Sequence, residues 1–185
     1  DWYNALKQIK ERNGRVGRMS EFIKERNSAE LSNNIWLDGA YTKAGIDYAP
    51  NNPILLLREN SELLDLENAE KAAASHKNNK EYPITQEQYN SHLNQAEKES
   101  KKVPEERNFL ILPRKDNFDI TSQNHFDVLR FLAENPDEAE KYLDKLAESD
   151  YKINNIAFYS RDKDYVDKQE SPFTDQLWLL GLDFR

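Results

Sequence analysis

The chain ends in Pro172-Phe173-Thr174-Asp175-Gln176-Leu177-Trp178-Leu179-Leu180-Gly181-Leu182-Asp183-Phe184-Arg185. Leu177 to Leu182 is uncharged and mostly large and apolar, in a chain whose mean hydropathy is −0.97. A short apolar run beside Pro and Gly reads as a strand buried on both faces. Hydrophobic residues make up 37% of the chain and charged residues 32%, so the core must be economical and the surface heavily solvated. Aromatic content of 11% is too high for a disordered segment.

The 185 residues suit one domain with a real core and hardly suffice for two. The expected organisation over 1–185 is a helical pair at 1–30, an α+β body at 31–185, and a distinct C-terminal segment beginning near 177. Asp1 is not a methionine, and Arg185 directly follows an apolar strand. Both ends therefore read as cut. No cysteine is present, which excludes disulfides, thiolate metal sites and a cysteine nucleophile and leaves the compartment open. No run of 18 apolar residues exists to span a membrane. The net charge of −8 argues against nucleic acid as a general partner. Residues 1–26 depart from that balance with a net of +3, leaving −11 on the rest.

Along the chain, Trp2, Ala5, Leu6 and Ile9 lie at helical spacing, and Asn13-Gly14 ends that helix. Ser20 is the expected cap of a second helix carrying Phe22 and Ile23. Two helices with basic residues around an Asn-Gly turn would interest a DNA-binding reading, although an amphipathic pair closing one side of the core accounts for them as well. Residues 31–52 read as loop and short strand anchored by Trp36, Tyr41, Ile46 and Tyr48. Ile54-Leu55-Leu56-Leu57 and Phe109-Leu110-Ile111-Leu112 read as strands, and Ile153 to Tyr159 as a third. Ser61 is expected to cap an acidic helix, and Asn78-Asn79-Lys80 to break it. Thr85 with Gln88 is a capping box for a helix to about Lys101. Its apolar stripe of Tyr89, Leu93 and Ala96 is narrow, so it should lie at the surface. Ser122 to Glu134 reads as a helix burying Phe126, Leu129, Phe131 and Leu132. Asn135-Pro136 opens the next one, with Ala139, Tyr142, Leu143 and Leu146 inward. A charged loop is expected to lead to the final strand at Leu177.

Few constellations suggest chemistry. Arg58, Arg114 and Arg161 each follow an apolar strand. In an open parallel sheet they would converge at its carboxyl edge and could clamp an anionic ligand for an enzyme or sensor. His76, His92 and His125 are far apart, with no carboxylate or second histidine at ligand spacing, and read as surface or helix-end residues. Neither a Gly-x-Ser-x-Gly elbow nor an EF-hand loop is present.

The segments Ile153-Asn154-Asn155-Ile156-Ala157-Phe158-Tyr159, Asp164-Tyr165-Val166-Asp167, Pro172-Phe173 and Gln176-Leu177-Trp178-Leu179, with Gly181-Leu182, resemble the C-terminal part of the archaeal variable proteins of diversity-generating retroelements. Trp2-Tyr3-Asn4-Ala5-Leu6 and Arg12-Asn13-Gly14-Arg15-Val16-Gly17 resemble the same proteins. The resemblance implies a C-type-lectin-like α+β fold, with helices packed on a small, twisted, mainly antiparallel sheet. It implies no enzymatic activity and no cofactor. A retroelement would rewrite codons of the last segment so that its side chains meet varied partners, a protein or a cell-surface ligand.

In the family pattern the open positions fall on Leu180, Asp183, Phe184 and Arg185, the implied ligand contacts. Leu177, Trp178, Leu179 and Leu182 are the implied scaffold. The residue types agree with that split, because Asp183-Phe184-Arg185 is a charged and aromatic triplet of the kind enriched at binding hot spots. A plainer alternative has Leu180 in the core and Arg185 as a frayed end. The family continues into a Ser/Asn/Gly-rich tract and a Gly-Arg-Val-Arg-Gly-like strand, so most of the variable surface is expected past Arg185. Glu-Pro-Asn and Trp-Asn-Asp calcium signatures are missing, and a calcium-dependent sugar site is not implied.

Overall fold

The computed structural model describes residues 2–37, 40–114, 117–119, 126–148, 156–159 and 161–179. Its elements run α1 (Trp2–Glu11), α2 (Met19–Ser28), α3 (Asn34–Leu37), β1 (Ala40–Tyr48), β2 (Ile54–Leu57), α4 (Ser61–Leu64), α5 (Leu66–Lys77), β3 (Tyr82–Pro83) and α6 (Gln86–Glu99). A 3-10 turn at Pro104–Glu106 precedes β4 (Phe109–Leu112), β5 (Asn117–Asp119), α7 (Phe126–Ala133), α8 (Pro136–Glu148), β6 (Ile156–Tyr159), α9 (Lys163–Asp167) and β7 (Phe173–Leu179).

Five strands form a sheet in the order β3-β7-β1-β2-β4, and every pairing in it is antiparallel. Strands β5 and β6 pair separately, also antiparallel. Side-chain alternation along the strands sorts the core. Ile54 and Leu56 of β2, Leu110 and Leu112 of β4, and Ala44, Ile46 and Tyr48 of β1 face one cluster, which α2, α7 and α8 cover with Ile23, Leu129, Phe131 and Tyr142. Leu55 and Leu57 face the other side, where α6 covers them with Tyr89 and Ala96. A third cluster joins α1 to α4 and α5 through Trp2, Leu6, Leu63 and Ala69.

Several expectations are met at the residue level. Thr85 and Gln88 exchange both capping bonds (Thr85 N to Gln88 Oε1, 2.8 Å; Gln88 N to Thr85 Oγ1, 3.1 Å). Asn135 Oδ1 accepts from Asp137 N at 2.8 Å and opens α8. Asn13 and Asn79 both adopt positive φ (53° and 56°) where α1 and α5 stop.

Other expectations need correction. Ser20 does not cap α2. The cap is Arg18, whose N–H donates to Glu21 Oε2 (2.9 Å), while the Ser20 hydroxyl donates to Glu134 across the interface with the turn after α7. Ser61 does not cap its helix either. Asn60 caps α4, and Asp65 restarts the chain as α5 by accepting from Glu67 N and Asn68 N. Residues 40–48, read as loop and short strand, form the nine-residue central strand. The final strand starts at Phe173 rather than Leu177, and the charged loop before it contains α9.

Helices α1 and α2 are not a pair. Helix α1 packs on α5 and α2 on α8 and α7. Two basic residues at α2 are engaged in the fold: Arg26 is fully buried, bonded to Tyr142 Oη (2.6 Å) and the Ile35 carbonyl. Arg18 pairs with Glu134. A two-helix DNA reader does not have its geometry here.

Candidate ligand-binding surface

Strand β7 leads into the C-terminal segment, and its own residues fix how firmly that segment is launched. It lies between β3 and β1, bonded on both edges, with Phe173 opposite both Tyr48 and Pro83. Phe173 stacks on Tyr48 with ring centroids 4.9 Å apart. Thr174 is 1% exposed. Its hydroxyl accepts from Asn60 Nδ2 (2.9 Å) and lies 3.3 Å from the Ile46 carbonyl. Leu177 is 2% exposed, within the main core cluster.

Gln176 spans an irregularity. The β1–β7 register shifts between Tyr41 and Gly45, and the Gln176 amide donates to the carbonyls of Thr42 and Ala44 (2.7 Å to the latter). The side chain thus takes up carbonyls near the irregularity in the ladder. Opposite it, Gly45 leaves room for Asn60. A Cβ on Gly45 would lie 2.5 Å from Asn60 Nδ2 and 2.8 Å from its Cγ. Asn60 is 1% exposed and ties three elements. Its Nδ2 reaches Thr174 and the Asp175 carbonyl, its Oδ1 accepts from Leu63 N, and its N–H donates to the Lys43 carbonyl.

Asp175 anchors a charged cluster. Arg161 Nε donates to Asp175 Oδ2 (2.9 Å) and its Nη2 to Glu81 (3.3 Å), while the Tyr165 hydroxyl donates to Glu81 Oε1 (2.6 Å). The Tyr48 hydroxyl accepts from the Arg161 N–H at 3.0 Å. Burial and then Asp175 push the Tyr48 phenol far up. Burial also raises the Asp175 carboxyl, against the pull of Arg161. The Tyr165 phenol rises because it donates to Glu81. Such a mutually satisfied set holds the neck of β7 rather than offering an acid or base.

Of the residues expected to matter, Leu177 is in the core, while Trp178 and Leu179 are paired in β7 opposite Tyr41 and Ala40. Leu180, Leu182, Asp183, Phe184 and Arg185 lie outside the described residues. The convergence of Arg58, Arg114 and Arg161 is corrected by the antiparallel topology. Strands β2 and β4 point opposite ways, so Arg58 and Arg114 follow opposite ends of that pair. Arg58 sits over Phe131 and donates to the carbonyls of Pro104 and Phe131. Arg114 binds Asp167, and Arg161 is taken by Asp175 and Glu81. Arg114 and Arg161 share only a recess of about 10 Å³, room for at most one water.

His76 lies in the last turn of α5, as expected, and His125 is outside the described residues. His92 differs. Its Nδ1 lies 2.7 Å from Oδ2 of Asp47, a carboxylate only 1% exposed, and its ring stacks on Phe109. A pair 45 residues apart leaves no local spacing signal. Among the described residues no group of three or more His, Asp or Glu could hold a metal.

No protein-family model and no curated protein matches the chain. A solved structure does: one described as the accommodation of massive sequence variation in Nanoarchaeota by the C-type lectin fold. It is 13% identical, aligns over 97% of this chain and 83% of its own, and superposes with a TM-score of 0.65. With helices packed on both sides of a five-stranded antiparallel sheet, and strand β7 locked beside the central strand, this chain has the C-type lectin fold.

Proposed function

We propose that the chain is a non-enzymatic binding protein whose C-terminal segment is diversified by a retroelement to recognise varied protein or cell-surface partners. Leu180, Asp183, Phe184 and Arg185 are the ligand contacts, and Leu177, Trp178, Leu179 and Leu182 the scaffold. The solved structure with the same fold supports this reading, since it accommodates massive sequence variation. The observation that carries it is the anchoring of β7. Thr174, Asp175, Gln176 and Leu177 are each tied to a different partner in the body. A segment launched from so rigid a base can change sequence without changing the base.

A stability panel tests the division. Replacing Leu180, Asp183, Phe184 and Arg185 singly by Ser should each cost within about 0.5 kcal/mol, as at surface sites. Leu177→Ala should cost about 2–5 kcal/mol. Losses of several kcal/mol at the four positions would make them core and end the proposal. The gene offers a second check: a near-identical repeat of its 3′ end, differing mainly at adenines and lying beside a reverse transcriptase.

A further inference from the structure

Between α1, α5, β3 and β7 runs an open groove of about 510 Å³, within the range of small-ligand sites. It exists because α5 presents Ala69, Ala72 and Ala73 to it, side chains too short to close the gap. The facing wall is aromatic, from Trp2, Tyr3, Tyr41 and Tyr82. That wall is held in place: Trp2 Nε1 donates to the Leu63 carbonyl (2.7 Å), and its ring packs at 5.5 Å against Tyr41.

The polar groups of the groove divide into spent and unspent. Asp175 and Glu81 are both bound by Arg161, and Glu81 also accepts from Tyr165. The side chains of Lys77 and Lys80 are exposed and make no ion pair or hydrogen bond among the described residues, and the His76 ring makes no hydrogen bond there. Apart from Gln176 Oε1, a buried acceptor with no partner among the described residues, what the groove has left to offer is donors and positive charge. Its lining carries a net +1, while the whole chain carries −8.

We propose that this groove binds a small amphipathic carboxylate. Its ring-sized apolar body lies between the alanines of α5 and the aromatic wall, and its carboxylate meets Lys77 and Lys80. This site is built from residues between Trp2 and Gln176 and stands whether or not residues 180–185 are diversified. It also differs from a convergence of strand-end arginines, since Arg161 is already neutralised by its two carboxylates.

The test is a titration of isotope-labelled protein with benzoate, indole-3-acetate and cholate, and with the primary amide of each, up to their solubility. The amide signals of Ala69, Ala72 and Ala73 report occupancy. The expected result is a saturable shift at those three residues with at least one acid, weakened about tenfold when the carboxylate becomes an amide. Lys77→Ala with Lys80→Ala should weaken it about tenfold with Tm unchanged, because both side chains are exposed. Ala73→Leu should abolish it by filling the groove. Absence of saturable shifts from all three acids would overturn the proposal, and so would amides binding as tightly as acids. Equal binding by the double-lysine variant would overturn it too, leaving those lysines as ordinary cations at the end of α5.

Discussion

Strands β1 and β2 are hydrogen-bonded neighbours in one sheet, held there by opposite kinds of interaction. Every side chain of β2 is apolar and buried, Ile54 and Leu56 on one face and Leu55 and Leu57 on the other. Each such burial is worth about 1.5–3 kcal/mol and asks nothing of its neighbours except that they be apolar. Strand β1 sends Ala44, Ile46 and Tyr48 into the main core from one face, while Tyr41 packs separately on Trp2. Its other face has Gly45 against Asn60 and Asp47 against His92, and two of its carbonyls take the Gln176 amide. Because all four side chains of β2 are apolar, burial alone specifies its register less sharply than polar contacts do. The polar contacts of β1 fit one register alone. Since β7 is placed by those contacts, β1 decides where the C-terminal segment leaves the body.

The largest effect should come from the smallest change. Gly45→Ala puts a Cβ inside the space of Asn60, a buried side chain whose bonds to Thr174, the Asp175 carbonyl and Leu63 would shift with it. Overpacking together with broken buried hydrogen bonds should cost about 4 kcal/mol, measured by denaturant unfolding. Leu56→Ala in β2 should cost about 3 kcal/mol, within the range for a buried leucine. If Leu56→Ala proves clearly the worse of the two, the polar lock on β1 is weaker than its geometry implies and the contrast fails.

Next is the Asp47–His92 pair, a side-chain contact of β1 with the helix covering its back. His92→Ala strands a carboxylate that is 1% exposed. Breaking a buried pair from one side is costly, but His92 is 23% exposed, so solvent can partly replace it. About 2 kcal/mol is expected. Asp47→Asn in the same background should recover part of the loss by removing the unpaired charge. Purely additive losses in the double variant would mean the two residues do not act as a pair.

The same contrast explains what could be read from the amino acids. Strands β2 and β4 are visible because their signal is local, four apolar residues in a row. The Thr85–Gln88 box and Asn135-Pro136 are visible for the same reason, their partners lying three residues away or closer. Strand β1, Ala-Tyr-Thr-Lys-Ala-Gly-Ile-Asp-Tyr, looks like loop because what makes it a strand lies at Asn60, His92 and Gln176, 15 or more residues away. Caps failed by one or two positions where cap-forming residues adjoin: Asn60 beside Ser61, and Arg18 with Glu21 around Ser20. At the candidate surface, Leu177 was legible as core from its apolar run. The clamps at Thr174, Asp175 and Gln176 were not, because a polar residue in a strand shows nothing of the partner that buries it.

The smallest effect concerns a polar clamp that is not buried. Glu21 accepts from both Arg15 Nη atoms (2.8 and 2.9 Å) and from the Arg18 N–H at the start of α2. The Arg15 hydrogen bonds first, and the Arg18 N–H second, hold its carboxyl down from 4.5 to about 2. A lowered value in the folded state means the unfolded chain takes up the proton more readily as pH falls. The stabilisation from this clamp is therefore complete above pH 4.5 and is lost as pH drops toward about 2. The Glu21 carboxyl should titrate near 2 by NMR in low salt, and Arg15→Ala should raise that midpoint toward the ordinary value. Added salt should raise it too, because the pair is exposed and screened. Asn60 and Gln176 carry no charge and lie against the sheet, so their contacts should not respond to salt at all. A Glu21 midpoint near 4.5 in low salt would mean that, unlike the buried contacts around β1, this clamp does not hold in water.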